Sequence, residues 1–353
     1  MIKKKFSLNF ICVCSGLIIF LAIWQIGVIV IPIIFSSSSS HFKNFPSYTL
    51  NDFNSSYNYP MERLLPSDYT KLMNVKSFKF HMLSECTSSL LLLITVFSAP
   101  TNFEQRISIR ETWGKSRKDT KIVFIIGCVD NMNVHKKLEE ENKKYQDLIQ
   151  GGFSDISVYK TYKYITAFKY VIYHCPEVKF ILKVNDDVFV HIYAVLYFLN
   201  VELSPYGAKN LLFCTPVEKA TEKQNMRIKW ISPFPEYNDS YFPPYCQEWS
   251  SLYSPDVIFI LYEELQKMKH FWVEDLLTTG VLAKRAKVPC ISTRGLTLFR
   301  DTVDKILKKS QWEDEHTRLF LYAEPSITPK KMYSLWKIFE NPHTNSILKP
   351  WHS

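Results

Sequence analysis

The chain lacks a nucleic-acid-binding signature and any sustained basic stripe, although it carries a formal charge of +9 over 353 residues. Its basic clusters are Lys3-Lys4-Lys5 and a looser group at Lys305, Lys308 and Lys309. Nucleic acid is therefore excluded as the reason for the charge, leaving an anionic small molecule or a membrane surface. There is no CxxC pair and no close His/Cys cluster, so no zinc site is encoded by local spacing. No internal repeat is present, which excludes solenoids and propellers. What is abundant is core-forming material: 46% of residues are hydrophobic and 15% aromatic, the balance of a packed globular protein. The length suffices for one large domain or two modest ones with a tail.

After the three lysines, Leu8 to Phe35 is almost entirely apolar, broken by Asn9, Ser15 and Gln25. Crossing the hydrocarbon core takes roughly 20 such residues. Lysines precede the run and none follows until Lys43, so the N-terminus is expected on the cytoplasmic side. The run is longer than the apolar part of a cleaved signal peptide. The pattern predicts a single-pass type II anchor, with residues 1–7 as cytoplasmic tail and 8–35 as the transmembrane span. Asn54-Ser55-Ser56 and Asn238-Asp239-Ser240 are glycosylation acceptors that agree with that orientation. Of eight cysteines, Cys12 and Cys14 lie in the span. Cys86, Cys128, Cys175, Cys214, Cys246 and Cys290 lie beyond it, an even set that permits up to three disulfides without fixing their pairing.

Ser36 to Ser40 opens a stretch dominated by Asn, Ser, Tyr and Pro through about Pro66, read as part of a stem over 36–85, with the folded part beginning near Cys86. Apolar runs at Leu90–Phe97, Lys121–Gly127, Phe180–Leu182 and Leu211–Cys214 read as buried strands. Between them, Asn102 is placed to cap a helix towards Trp113. Further helical patterns run from Met132 to Ile149, ending at Gly151-Gly152, and from Thr161 to Tyr173. Ser254-Pro255-Asp256 starts a helix reaching Met268, and Leu276 to Lys287 is one more. The alternation predicts an α/β fold, with a mostly parallel central sheet flanked by helices. Such open sheets bind ligands beyond the carboxyl ends of their strands.

At one such end stands Lys183-Val184-Asn185-Asp186-Asp187-Val188-Phe189-Val190. Adjacent carboxylates at a strand tip suit a hard divalent cation with open positions for phosphate oxygens. A solvated Asp-Asp turn between two strands is the plainer reading of the octapeptide alone.

Several segments in order match one family. They are Arg106-x-x-x-Arg110-Glu-Thr-Trp113-Gly114, Tyr145-Gln-Asp147 with Phe153 and Asp155, and Thr161-x-Lys163. After the acidic octapeptide come Lys229-Trp230, Phe242-Pro-Pro-Tyr245-Cys246 and Glu274-Asp275-x-x-Thr278-x-Gly280. Over about Leu90 to Ala283 the chain resembles glycosyltransferase family 31, the β-1,3-galactosyltransferases and β-1,3-N-acetylglucosaminyltransferases to which the Fringe proteins are related. The resemblance implies a GT-A fold over 86–340, with 341–353 as a C-terminal tail. It implies a Golgi membrane protein with a luminal catalytic domain, a UDP-sugar donor, Mn²⁺, and a glycan acceptor on glycoprotein or glycolipid. It also implies inversion at the anomeric carbon, with galactose the favoured sugar. By motif position Asp187 is the metal ligand and Asp275 the catalytic base, with Glu274 beside it. Asn185, Asp186, Arg110, Trp113, Trp230 and Tyr245 fall in the donor and substrate set. Trp113, Trp230 and Tyr245 equally suit interior packing.

The chain departs from the family at three places. Asn185 stands at the first aspartate of the D-x-D motif. Gln247-Glu248-Trp249-Ser250 replaces a glycine-containing loop after Cys246. No histidine lies between Leu321 and Met332, leaving Glu324 or His316 as substitutes for a late metal ligand. These departures keep a second expectation open, a glycan-binding or partner subunit without turnover.

Overall fold

Four parallel strands at the centre of one sheet place the site. The computed structural model describes residues 58–73, 75–86, 89–155, 160–217, 243–267, 276–309 and 320–340. The apolar span and the two glycosylation triplets lie outside the described residues, and no helix among those described is long and apolar enough to cross a membrane.

The central strands are β2 (Leu92–Phe97), β3 (Thr120–Cys128), β4 (Leu148–Ser154) and β5 (Phe180–Asn185), with β1 (Phe80–Met82) on one flank. On the other flank lie β6 (Leu212–Val217), β7 (Tyr245–Tyr253) and β8 (Cys290–Ser292). Their order is β1-β4-β3-β2-β5-β7-β6-β8. The β4, β3, β2 and β5 neighbours run parallel, as do β6 and β8. β1 against β4, and β7 against both β5 and β6, run antiparallel. Six of the eight strands therefore run in one direction, a mostly parallel sheet in which β1 and β7 are opposed. β7 is a strand through the stretch that the sequence suggested was a loop after Cys246. Its lack of glycine fits that: Trp249 to Tyr253 are all buried in the sheet.

The parallel core has the composition such strands need. Leu92, Leu93, Ile94 and Val96 of β2 and Phe180, Leu182 and Val184 of β5 are fully buried, because helices cover both faces. From β2 the chain winds outward through β3 to β4, whereas β5 lies on the other side of β2. The order therefore reverses between β2 and β5, the position where open α/β sheets leave a crevice at their carboxyl ends. Phe97 pairs with Asn185 across that seam.

Helix α1 (Phe103–Glu111) follows β2, α2 (Met132–Tyr145) follows β3 and α3 (Lys160–His174) follows β4. The Asn131 side chain caps α2 by accepting from the Asn133 and Val134 amides. Its end differs from the expected one at Gly151-Gly152. Gln146 takes a left-handed conformation (φ 54°), and Leu148–Ser154 is already strand β4. The charged helical periodicity ran on past the point where backbone pairing with β3 takes over. Val188 to Val190 does not form the second strand of the plainer reading; Val190 makes one bridge to Tyr322.

Downstream come α4 (Ile192–Tyr197), α5 (Pro255–Lys267) and the helical segment Leu276–Leu282 running into Ala283–Arg285. They are followed by β9 (Thr297–Leu298), α6 (Arg300–Lys309), β10 (Tyr322–Ala323) and α7 (Pro329–Phe339). Packing also reaches back past the expected start near Cys86, since Tyr59, Leu72 and Phe78 join the core. Asp68 is buried among Lys169, Tyr173, Tyr262 and Gln266, which ties this early segment to α3 and α5. Disulfides join Cys86 to Cys175 and Cys214 to Cys246, two of the three that the cysteine count permitted. Cys128 and Cys290 are unbonded.

Candidate active site

The turn after β2 and the turn after β5 meet at the reversal point around a cavity of about 380 Å³. Ser98, Asn102, Lys163, Asn185, Asp186 and Asp187 contribute to its lining. All but Lys163, which comes from α3, are brought there by a strand end or the turn beyond it.

Asp186 is built into the wall. Its side chain is buried, and Oδ2 accepts from Ser98 Oγ at 2.7 Å and Asn102 Nδ2 at 2.8 Å. Burial raises its pKa; the two hydrogen bonds oppose the rise, the Asp187 charge adds to it, and Lys163 counters. Asp187 has a different environment. Its Oδ2 accepts from the Ser326 amide at 3.0 Å, and its carbonyl accepts from Ile327 N–H at 2.9 Å. The segment where a late metal ligand was sought therefore lies directly against Asp187. Glu324, in that segment, accepts from the Arg300 amide at 3.0 Å; His316 lies outside the described residues.

Asn185 Oδ1 accepts from Lys183 Nζ at 3.0 Å, and the same ammonium donates to the Glu248 carbonyl and lies over the rings of Phe97 and Tyr164. Lys163, on α3, donates to the Ser98 carbonyl at 2.8 Å and to Asp155 at 2.9 Å. Burial lowers its pKa, against the pull of Asp155 and Asp186.

Behind the cavity sits a buried charge network. Arg106 Nε and Nη2 form a two-point contact with Glu141 at 2.9 and 2.7 Å. Its Nη1 donates to Ser98 Oγ at 3.0 Å and to the Ala99 carbonyl at 2.7 Å, and Nη2 reaches the Pro100 carbonyl at 3.1 Å. The chain of contacts Glu141, Arg106, Ser98, Asp186 thus connects α2 to the cavity wall.

The structure brings Asn185, Asp186 and Asp187 together at the cavity. Arg110 is not among the lining residues: it grips Asp147 at 2.7 and 2.8 Å, meets Glu141 at 2.7 Å, and stacks on Phe124 and Tyr145. Trp113 is fully buried, its indole N–H directed to Met332 Sδ at 3.2 Å. Tyr245 opens β7 beside Gly280, where an added Cβ would stand 3.0 Å from Tyr245 Cβ. The next amide, Cys246 N–H, donates to Thr279 Oγ1 at 2.9 Å. Trp230, Glu274 and Asp275 lie outside the described residues.

Ser98 and Asn102 were not anticipated as site residues. Asn102 occupies the expected N-cap position of α1, but its side chain makes no cap bond and is committed to Asp186 instead. The available signal was its place immediately beyond a buried strand at the sheet's reversal point.

A family model for galactosyltransferase matches residues 104–294, more than half of the chain. The chain belongs to the galactosyltransferase family. It is 26% identical to mouse N-acetyllactosaminide beta-1,3-N-acetylglucosaminyltransferase 4 over 264 residues, covering 72% of each chain. It is 30% identical to Xenopus laevis lactosylceramide 1,3-N-acetyl-beta-D-glucosaminyltransferase A over 270 residues, covering 71% of this chain and 68% of that one. Human beta-1,3-galactosyltransferase 9 is 26% identical over 215 residues, covering 58% and 57%. Against the N-acetyllactosaminide enzymes of mouse and human, the chain spans between 65% and 72% of their length. Arg106, Asn185, Asp186, Asp187 and Tyr245 all fall within the matched family segment.

Proposed function

We propose that the chain is an inverting β-1,3-glycosyltransferase. It moves galactose, or N-acetylglucosamine, from a UDP-sugar to a hydroxyl of a glycan on glycoprotein or glycolipid. One observation carries this reading: a carboxylate pair of a galactosyltransferase-family chain opens into a cavity at the sheet's reversal point.

The donor set fits a hard divalent cation such as Mn²⁺, since two adjacent carboxylates and no sulfur or imidazole ligand face the cavity among its described lining residues. Asp187 would hold the ion and Asp186 would back it. Bound there, it supplies charge neutralisation for the departing diphosphate. The protein's own groups do the rest. Ser98 and Asn102 orient Asp186, Asn185 offers an amide to the nucleotide, and Lys163 holds the Ser98 carbonyl and Asp155 in place at the cavity wall. Arg110 and Trp113 serve the donor site indirectly, by fixing α1 against α2 and α7. Asp275 takes the proton from the acceptor hydroxyl, with Glu274 beside it, and Tyr245 and Trp230 present aromatic faces to sugar. A single in-line displacement with a single base gives inversion, so no protein nucleophile is required.

The chain acts as a GT-A enzyme anchored by residues 8–35 in the Golgi membrane, with its catalytic domain in the lumen. The two disulfides support an oxidising compartment. The test incubates the purified full chain with UDP-galactose or UDP-N-acetylglucosamine, Mn²⁺ and a panel of glycan acceptors, and measures UDP release and the linkage formed. Acceptor-dependent release and a β-1,3 product are expected. Baseline release with every pair, together with no UDP binding, overturns the reading.

A further inference from the structure

The charged side chains around the cavity differ in how fully they are engaged. Asp155 and Lys163 neutralise each other, with side-chain exposures of 11% and 9%. Asp186 is committed to Ser98 and Asn102, and Lys183 donates to Asn185 and to the Glu248 carbonyl. Glu248 is different. Its backbone is pinned in β7 by Lys183, but its carboxylate is 49% exposed and meets Lys160 Nζ, on the first residue of α3, at 3.2 Å. Both residues line the same cavity as Asp186 and Asp187.

A pair this exposed contributes at most about 1 kcal/mol. A ligand hydroxyl can therefore displace or join it at little cost, unlike the buried pairs deeper in the wall. If the diphosphate lies at Asp187, the sugar bonded to it occupies the same cavity, within reach of β7.

We infer that Glu248, steadied by Lys160, is a specificity-determining residue that accepts hydrogen bonds from hydroxyls of the donor sugar. The inference rests on the nucleotide-sugar reading above. An ionised carboxylate has acceptor sites only, so it rewards a neutral sugar with neighbouring hydroxyls and repels one bearing its own carboxylate. The site is thereby set for neutral hexoses over uronic acids.

The experiment titrates UDP, UDP-galactose, UDP-N-acetylglucosamine and UDP-glucuronic acid into the full chain in the presence of Mn²⁺ by calorimetry, for the parent and for E248A and E248Q. The parent binds one of the two neutral donors more tightly than UDP-glucuronic acid. E248A weakens that neutral donor about tenfold or more, the worth of one charge-assisted hydrogen bond, while UDP affinity stays within about twofold. E248Q preserves shape and one acceptor; it weakens the neutral donor less and narrows the gap to UDP-glucuronic acid. Should E248A fail to fold, the near-isosteric E248Q decides. Parallel loss of UDP and UDP-sugar affinity, or no change in either, overturns the role of Glu248 alone. A parent chain that binds no UDP overturns both this inference and the reading beneath it.

Discussion

Replacing Arg106 with methionine probes whether the charge network behind the cavity holds it in shape. The guanidinium is fully buried and makes five hydrogen bonds, two to Glu141, one to Ser98 Oγ and two to the carbonyls of Ala99 and Pro100. Breaking a buried ion pair by removing one partner costs about 3–5 kcal/mol. Methionine has an unbranched chain that fills part of the space, and Glu141 keeps Arg110 at 2.7 Å, so the carboxylate is not orphaned. R106M is therefore expected near the lower bound, about 3 kcal/mol, mostly from the stranded carbonyls. E141Q strips the carboxylate from Arg106 and Arg110 together and is expected near the upper bound, about 5 kcal/mol. Urea unfolding midpoints of the two variants and the parent measure the order. UDP affinity should fall in R106M as well, because Ser98 then loses the donor that fixes its bond to Asp186. A loss under about 1 kcal/mol for R106M, or E141Q proving the milder change, refutes the reasoning.

D187A should weaken Mn²⁺-dependent UDP binding while leaving the unfolding midpoint nearly unchanged; a metal titration identical to the parent's removes Asp187 as the ligand. D275N should lower transfer by about 10²–10⁴-fold with UDP affinity intact, and comparable turnover takes the base role from Asp275. His191 caps α4 with an unprotonated Nδ1 among the rings of Phe320 and Phe339, and burial lowers its pKa from 6.5 to about 4. Its contribution is present above the unfolded value of 6.5 and is lost as the pH falls towards 4; the difference corresponds to about 3 kcal/mol. H191N should flatten that part of the stability–pH curve, measured by denaturant unfolding at stepped pH. Removing the Cys86–Cys175 bridge, which spans 89 residues, with C86S/C175S should cost about 4.6 kcal/mol by chain entropy, read as a drop in the unfolding midpoint.

Three of the four central parallel strands, β2, β3 and β5, were legible because they are continuous apolar runs, a pattern that burial on both faces imposes and that needs no partner to recognise. β7 was not legible. It carries neither a continuous apolar run nor strict alternation, since Gln247-Glu248 and Ser250-Ser251 interrupt it in pairs, and its pairing with β5 and β6 joins positions far apart in the sequence, which local periodicity does not register. The end of α2 was misplaced for a related reason. Gln146 adopts a left-handed backbone with no glycine to announce it, so the helical pattern ran into β4. At the site, the acids of the octapeptide were visible from composition alone. Their supports were hidden, because Ser98 and Asn102, with Arg106 behind Ser98, reach Asp186 only once β2 and β5 are neighbours.

The two adjacent carboxylates are chemically alike in sequence and unlike in the fold. Asp186 Oδ2 already accepts two side-chain hydrogen bonds inside the wall, which reduces its capacity to serve as a ligand and suits it to positioning. Asp187 Oδ2 accepts one backbone amide, and lone pairs on both its oxygens remain for an incoming cation. A support and a ligand on consecutive residues need opposite environments. The turn after β5 provides them, directing Asp186 towards the β2–α1 turn and setting Asp187 against the Ser326-Ile327 segment. That asymmetry follows from the strand order. If β2 and β5 were not neighbours, Ser98 could not reach Asp186, and burial would leave its carboxyl too costly to ionise beside a second acid.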